Sequence, residues 1–278
     1  MPNKIITAFF LLLSGIQQLQ AGACCTSAAS FGVGRLLVWE KASSGIRMSA
    51  ARDLKYPSSL WRTEAWGMVG FSERWSAFAT VPWVVPIEHK DDITLSHGIG
   101  DVQSGARYQV IQIGEYSELP SLALIGTITF PTGIPGVKNI PSTGRGIWAL
   151  ALGASLEKTW MPWFLQLNLG TTIPVSDRNV SFGVGAQATF VGGLELSHNI
   201  VLSGILDGTY EFPMKKLDGS QARAFGYRTS TGLSLAYRFS PHFTLQASAM
   251  ADLPAATKLS AMLPTYATVS TGLRYGFF

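Results

Sequence analysis

From about residue 41 onward, apolar and polar positions alternate with a period of two, in stretches of ten to fourteen residues that each end in a turn. The clearest stretch is Phe225–Phe239. One set of positions holds Phe225, Tyr227, Thr229, Thr231, Leu233, Leu235, Tyr237 and Phe239; the other holds Gly226, Arg228, Ser230, Gly232, Ser234, Ala236 and Arg238. A period of two places the sets on opposite faces of a strand, whereas a helix would mix them at every turn. One face suits lipid and the other a polar lumen. The same alternation runs through 163–173 and 243–253, and Val102, Ala106, Tyr108 and Val110 oppose Asp101, Gln103, Gly105, Arg107 and Gln109.

The pattern predicts twelve strands, at 41–52, 60–71, 75–85, 100–111, 121–131, 146–157, 163–173, 181–196, 200–212, 224–239, 243–253 and 265–277. Brief turns (72–74, 159–162, 197–199, 240–242, with a longer one at 114–120) alternate with long loops at 53–59, 86–99, 132–145, 174–180, 213–223 and 254–264. Outer-membrane barrels have short periplasmic turns and longer external loops, so an even strand number puts both termini in the periplasm. The expected fold is all-β: one closed, antiparallel, up-and-down transmembrane barrel.

Aromatic residues give a second, independent pattern. On the lipid face, Trp61, Trp83, Phe130, Trp148, Phe182, Tyr210, Phe212 and Phe225 mark the external strand ends. Phe71, Trp75, Trp163, Tyr237, Phe239, Phe243, Tyr275 and Phe277 mark the periplasmic ends, with Leu and Ala between. This is the double girdle of a barrel that crosses the membrane, and a soluble β-sandwich has no reason for it.

Composition narrows the class further. The 278 residues are 14% charged and include 29 glycines, against roughly 25% charged and about 7% Gly in average domains. Mean hydropathy is +0.22, yet the longest nearly apolar run, Ile5–Ile16, falls short of the ~20 residues a spanning helix needs. Disorder and a helical membrane bundle are both excluded.

At the amino terminus, Lys4 precedes the apolar core Ile5–Leu13 and the small-residue site Ala21-Gly22-Ala23. This is the layout of a cleaved secretory signal peptide, 1–23. A short periplasmic segment, 24–40, and the barrel, 41–278, would follow. Cleavage lowers the net charge from +4 to +3, because Lys4 is the only charge removed, and this argues for no nucleic-acid partner. Cys24 and Cys25 are the two cysteines, too few and too close for a disulfide framework or a four-ligand zinc site. Acylation of Cys24 is the alternative, but Ala21 stands where a lipoprotein signal has Leu; ordinary cleavage fits better.

Enzymatic barrels need a Ser–His or Asp–His constellation. Here His198 and His242 fall in predicted turns, and His89 and His97 in one external loop. The expectation is no catalytic residue and no cofactor. Glu88-His89-Lys90-Asp91-Asp92 with His97 has the donors for a divalent ion, but their irregular spacing favours solvated loop charge. Gly98-x-Gly100 lacks the helix and glycines of a nucleotide loop.

The lumen face carries Arg47, Arg62, Arg107, Arg228, Arg238 and Arg274 against Glu64, Asp101, Glu157, Glu195, Asp207, Glu211 and Asp252, and the candidate pore residues among them are Arg47, Arg62, Glu64, Asp101, Arg107, Asp207, Glu211, Arg228 and Arg274. If Phe212 pairs with Phe225, Thr209 faces Arg228, and Asp207 and Glu211 lie on its diagonals. Such a network either rigidifies the wall or forms a substrate-selecting constriction. Its mixed signs do not make the one-signed ring of an ion-selective pore. Inward Phe78, Ile125 and Phe164 would plug the lumen or line an apolar path.

Two resemblances extend this reading. Ser270-x-Gly272-x-x-Tyr275-x-Phe277, followed by Phe278, resembles the terminal β-signal read by the bacterial barrel-assembly machinery, although one residue follows the last matched aromatic. It implies that machinery as a partner, and an outer membrane of lipid and lipopolysaccharide as the destination. Gly98-Ile99-Gly100-Asp101-Val102, Gly105-Ala106-Arg107-Tyr108 and Phe130-Pro131-Thr132-Gly133 resemble segments of outer-membrane transporters, including the family named after the MetA pathway of phenol degradation. That resemblance implies passage of small molecules, hydrophobic ones among them, through the lumen. A non-conducting structural or adhesive barrel and a lipid-modifying enzyme are the competing classes.

Overall fold

The computed structural model describes residues 41–53, 58–89, 93–112, 119–134, 143–144, 146–160, 162–175, 180–181, 184–211, 214–216, 221–223, 226–253 and 266–277. The expected signal peptide, 1–23, the 24–40 segment, both cysteines, Phe182, Phe212, Phe225 and Phe278 lie outside the described residues, as do the side chains of 88–92 and of Glu211.

Twelve long strands form the wall. They are β1 (Ala42–Asp53), β2 (Ser58–Gly70), β3 (Trp75–His89), β4 (Gln103–Ile111), β5 (Ser121–Thr129), β6 (Ala149–Trp160), β7 (Trp163–Pro174), β8 (Gly185–Ser197), β9 (Ile200–Glu211), β10 (Gly226–Arg238), β11 (Phe243–Asp252) and β12 (Tyr266–Phe277). Each pairs antiparallel with its neighbours in sequence, and β1 pairs with both β2 and β12, so the sheet closes with no free edge. Ala42 sits opposite Phe277, which puts both ends of the barrel segment at the end that carries the short turns.

The faces follow the predicted parity. On β10, Leu233 is 62% exposed and Ser234 3%. Exposed Leu150, Leu169, Leu206 and Leu245 cover the outside, with Trp61, Trp83, Trp148 and Tyr210 toward the loop end and Phe71, Trp75, Trp163, Tyr237 and Phe277 toward the turn end. The packed interior is therefore the lumen, where Glu64, Thr127, Asn168, Thr189, Ser203, Asp207 and Gln246 are buried. A protein that turns apolar residues outward and polar residues inward is built for lipid.

Several predicted spans change; β6 lies three residues later than expected at both ends, and β8 starts at Gly185 rather than at 181. β3 runs four residues past its expected end, because Ile93–Leu95 folds back to pair with it as a hairpin (Ile87↔Leu95). Met214–Lys216 and Gln221–Arg223, expected as loop, pair with each other, and Met214–Lys216 also pairs with Val180–Ser181, in a ribbon at the loop end. The strand expected from residue 100 starts at Gln103, and its physical cause lies in Pro82.

Candidate functional site

Register brings the first charges together. Arg47 on β1 sits directly opposite Glu64 on β2, and Arg62 is two residues along on the same face. Both guanidiniums bridge the Glu64 carboxylate, one to each oxygen. Glu64 is 2% exposed; a buried carboxylate is tolerable because two charged donors replace its water. Arg274 is buried beside this group, on β12 opposite Gly45 and Thr244. Arg107 on β4 donates from Nη2 to Gln109 Oε1 at 3.1 Å and has Glu157 of β6 as an electrostatic partner.

On β8–β11 the chemistry is carboxylate-rich. Asp207 Oδ1 accepts from Thr189 Oγ1 at 2.6 Å and Gln187 Nε2 at 2.8 Å. Asp252 Oδ1 accepts from Ser230 Oγ at 2.6 Å and lies 3.8 Å from Arg228 Nε. The predicted register is observed, with Thr209 facing Arg228, Ser230 facing Asp207 and Gly226 facing Glu211. Asp252 on β11 also lies beside Arg228, a carboxylate that this hairpin register does not supply, and the side chain of Glu211 lies outside the described residues.

Apolar side chains also enter the lumen. Met68, Phe78 and Ile125 form one buried cluster; Phe164, Val191 and Ile205, with Val201 and Met250 packed on them, form another. Two large members of these clusters, with Met250 and Trp66, lie over glycines directly across the ladder: Trp66 over Gly45, Phe78 over Gly105, Phe164 over Gly193 and Met250 over Gly232. A Cβ at Gly193 would come within 2.1 Å of the Phe164 ring. These missing side chains let bulky groups lie flat against the wall.

Asp101 reaches its place by a different route. Pro82 accepts from Gly100 N at 2.8 Å, but without an N–H it cannot return the bond to Gly100. The Gly100 carbonyl is taken instead by Thr132 Oγ1 at 2.6 Å, and that hydroxyl also accepts from Val102 N at 2.9 Å. Pairing resumes one residue out of step: three residues of β3 separate Trp83 from Thr80, while four separate their partners Ile99 and Gln103. The extra residue is a β-bulge, which re-aims a side chain. The Asp101 carboxylate consequently accepts from the backbone of the β5–β6 connection, Gly133 N at 2.9 Å and Gly146 N at 3.3 Å. Asp101 is thus a loop anchor, in contrast to the wall residue of a regular strand expected from alternation. Thr132, Gly133, Thr143 and Gly144 complete the cluster, and sequence reasoning assigned none of them a place in the site. The proline inside an apolar strand was the signal that could have found them.

The carboxyl-terminal residues close the ring. Ser270 Oγ meets Ser248 Oγ at 2.7 Å, and Gly272 is buried. The Tyr275 ring packs on Phe243, Phe277 and His242, at centroid distances of 4.7, 4.6 and 5.6 Å. His242 also contacts the Gly276 carbonyl through Nδ1, and His97 lies against Trp83. Among the described residues, no group of three His, Cys, Asp or Glu side chains is placed to hold a metal ion.

The fold is that of known outer-membrane barrels. The chain is similar to the COG4313 outer membrane channel from Pseudomonas putida F1, with a TM-score of 0.70 and 15% identity over 86% of this chain and 96% of that one. It is also similar to the KdgM porin in complex with disordered oligogalacturonate (TM-score 0.51, 9% identity, 85% of this chain and 99% of that one). The translocator domain of the autotransporter NalP from Neisseria meningitidis gives a TM-score of 0.54 at 10% identity, over 90% and 93% of the two chains. No protein of curated function matches the chain. The family described as "Putative MetA-pathway of phenol degradation" matches residues 29–259, and with most of its length covered the chain belongs to that family.

Proposed function

We propose that the protein is an outer-membrane channel that passes small solutes through its lumen. The observation that carries this reading is the inverted barrel: an apolar outer face encloses a lumen lined by Arg47, Arg62, Glu64, Arg107, Asp207, Arg228, Asp252 and Arg274. Similarity to a barrel described as an outer membrane channel supports it. The lumen offers both charge signs and two apolar clusters, which suits small molecules with a polar end and an apolar body better than a single class of ion. In this reading the loop end is external and the turn end, with both termini, is periplasmic. The outer face meets lipid and lipopolysaccharide, Ser270, Gly272, Tyr275, Phe277 and Phe278 are read by the assembly machinery, and residues 1–23 are removed on export. Catalysis has no part in it.

Planar-bilayer conductance and liposome swelling with the refolded protein test this reading. Discrete current steps and entry of small solutes are the expected result. One observation favours a second reading, a plugged structural barrel: Phe78, Phe164 and Trp66 lie buried inside the wall over glycines. Absence of both current and swelling would select it.

A further inference from the structure

Pro82, Val84 and Thr143, which surround Gly100 next to Asp101, lie on the lumen side of the wall. Val84 sits opposite the inward Arg62, and Val84 and Pro82 are both buried. A Cβ on Gly100 would meet Val84 Cγ2 at 2.9 Å, the Thr143 carbonyl at 3.0 Å and Pro82 Cγ at 3.1 Å. Thr143 therefore packs on the inner surface of β3, and it is 6% exposed. Asp101 is also close enough to Arg62 to interact with it electrostatically.

The two arms of the β5–β6 connection are stitched to each other and to this surface. Thr143 Oγ1 accepts from Ile134 N at 2.9 Å and donates to the Ile99 carbonyl at 3.1 Å, while Thr143 N donates to the Ile134 carbonyl at 3.0 Å. Gly133 and Gly144 are stacked so closely that a Cβ on Gly133 would fall 2.6 Å from Gly144 Cα. A Cβ on Gly144 would fall 2.7 Å from the Asp101 carboxylate. Gly146 has a φ of 64°, in the left-handed region that glycine adopts without strain, and its N–H reaches Asp101. Two glycine amides from separate arms thus converge on one carboxylate.

We propose that Asp101 is the positioning residue that sets the bore of the lumen at the loop end. It does so by holding Thr132–Ile134, Thr143, Gly144 and Gly146 against the inner wall. The inference rests on the reading that the lumen passes solutes. Pro82 initiates the arrangement by breaking the ladder, the bulge turns the carboxylate inward, and Thr132 and Thr143 fasten the arms.

The test uses the full-length refolded protein and three variants, Asp101→Ala, Gly144→Ala and Asp101→Asn. Folding of each is checked by heat-modifiable migration. Two readouts are taken: amide exchange at Gly133 and Gly146, and the size limit for solutes in liposome swelling together with bilayer conductance. Asp101→Ala should speed exchange at both glycines, raise conductance and admit larger solutes. Gly144→Ala should do the same from the other side, since its Cβ displaces the carboxylate that Asp101 still carries. Asp101→Asn keeps an acceptor oxygen and should stay near the wild type in both readouts. Fast exchange in the Ala variants with the wild-type size limit would overturn the proposal, and so would exchange that stays protected. If neither wild type nor variants pass any solute, the channel reading fails; flux in the wild type that no variant alters overturns the role of Asp101 alone.

Discussion

Glu64 is a buried charge in the wall that its neighbours compensate. Its carboxylate is 2% exposed and is held by Arg47 from the neighbouring strand and Arg62 from its own. Breaking a buried pair by removing one partner costs far more than the pair contributes, because the charge left behind is uncompensated. Glu64→Gln leaves two guanidiniums side by side, and the expected loss is about 3–5 kcal/mol, read as a lower unfolding midpoint. Arg228→Ala should cost less, since Asp252 keeps the Ser230 hydroxyl; the same unfolding measurement checks it. Arg228 also shows where residue-scale reading stops. Alternation and one hairpin register correctly placed Thr209 opposite it. They could not tell that Gln187 and Thr189, from a third strand, engage Asp207, or that β11 supplies Asp252. A register names the neighbours of a long side chain; its choice among them depends on strands that the local pattern does not connect.

The strands themselves were legible because lipid on one side and a packed lumen on the other impose a strict period of two along every wall segment. Leu233 and Ser234, adjacent in sequence, differ in exposure by 62% against 3%. Arg at a lipid-facing midplane position costs about 2–4 kcal/mol, falling to about 0–1 near the interface. Leu233→Arg should therefore lower the unfolding midpoint well beyond Tyr237→Arg, which lies toward the turn end of the same strand. What alternation hides is the bulge at Asp101–Val102, since one inserted residue exchanges the faces and an averaged pattern absorbs it. Which large side chain lies on which inward glycine depends on the cross-strand partner, which alternation within one strand does not give. Phe164 over Gly193 gives a direct check. Gly193→Ala drives a methyl into the ring, and overpacking of this kind costs roughly 1–3 kcal/mol. Adding Phe164→Leu removes the obstructing ring, so the double variant should unfold closer to the wild type than Gly193→Ala alone.

At the scale of the whole barrel, stability and assembly part company at the last strand. β12 meets β1 along its full length, from Ala42↔Phe277 to Asp53↔Tyr266, and this seam turns an open sheet into a closed one. The seam is made by the antiparallel backbone ladder of β1 and β12, which does not depend on the outward aromatics. Phe277 is 47% exposed on the lipid side, and the Tyr275 ring contacts Phe243, Phe277 and His242 at the turn end. Removing both rings leaves the ladder and the lumen packing intact. Tyr275→Ala combined with Phe277→Ala should therefore still refold from denaturant into detergent, with heat-modifiable migration retained and a slightly lower midpoint. If these residues serve as an assembly signal, the same variant should accumulate unfolded in the periplasm of cells that insert the wild type. Normal insertion in cells would remove the signal role. Failure in detergent as well would assign the two aromatics to closure of the barrel itself, with the girdle at the turn end bracing the seam that the ladder alone does not hold.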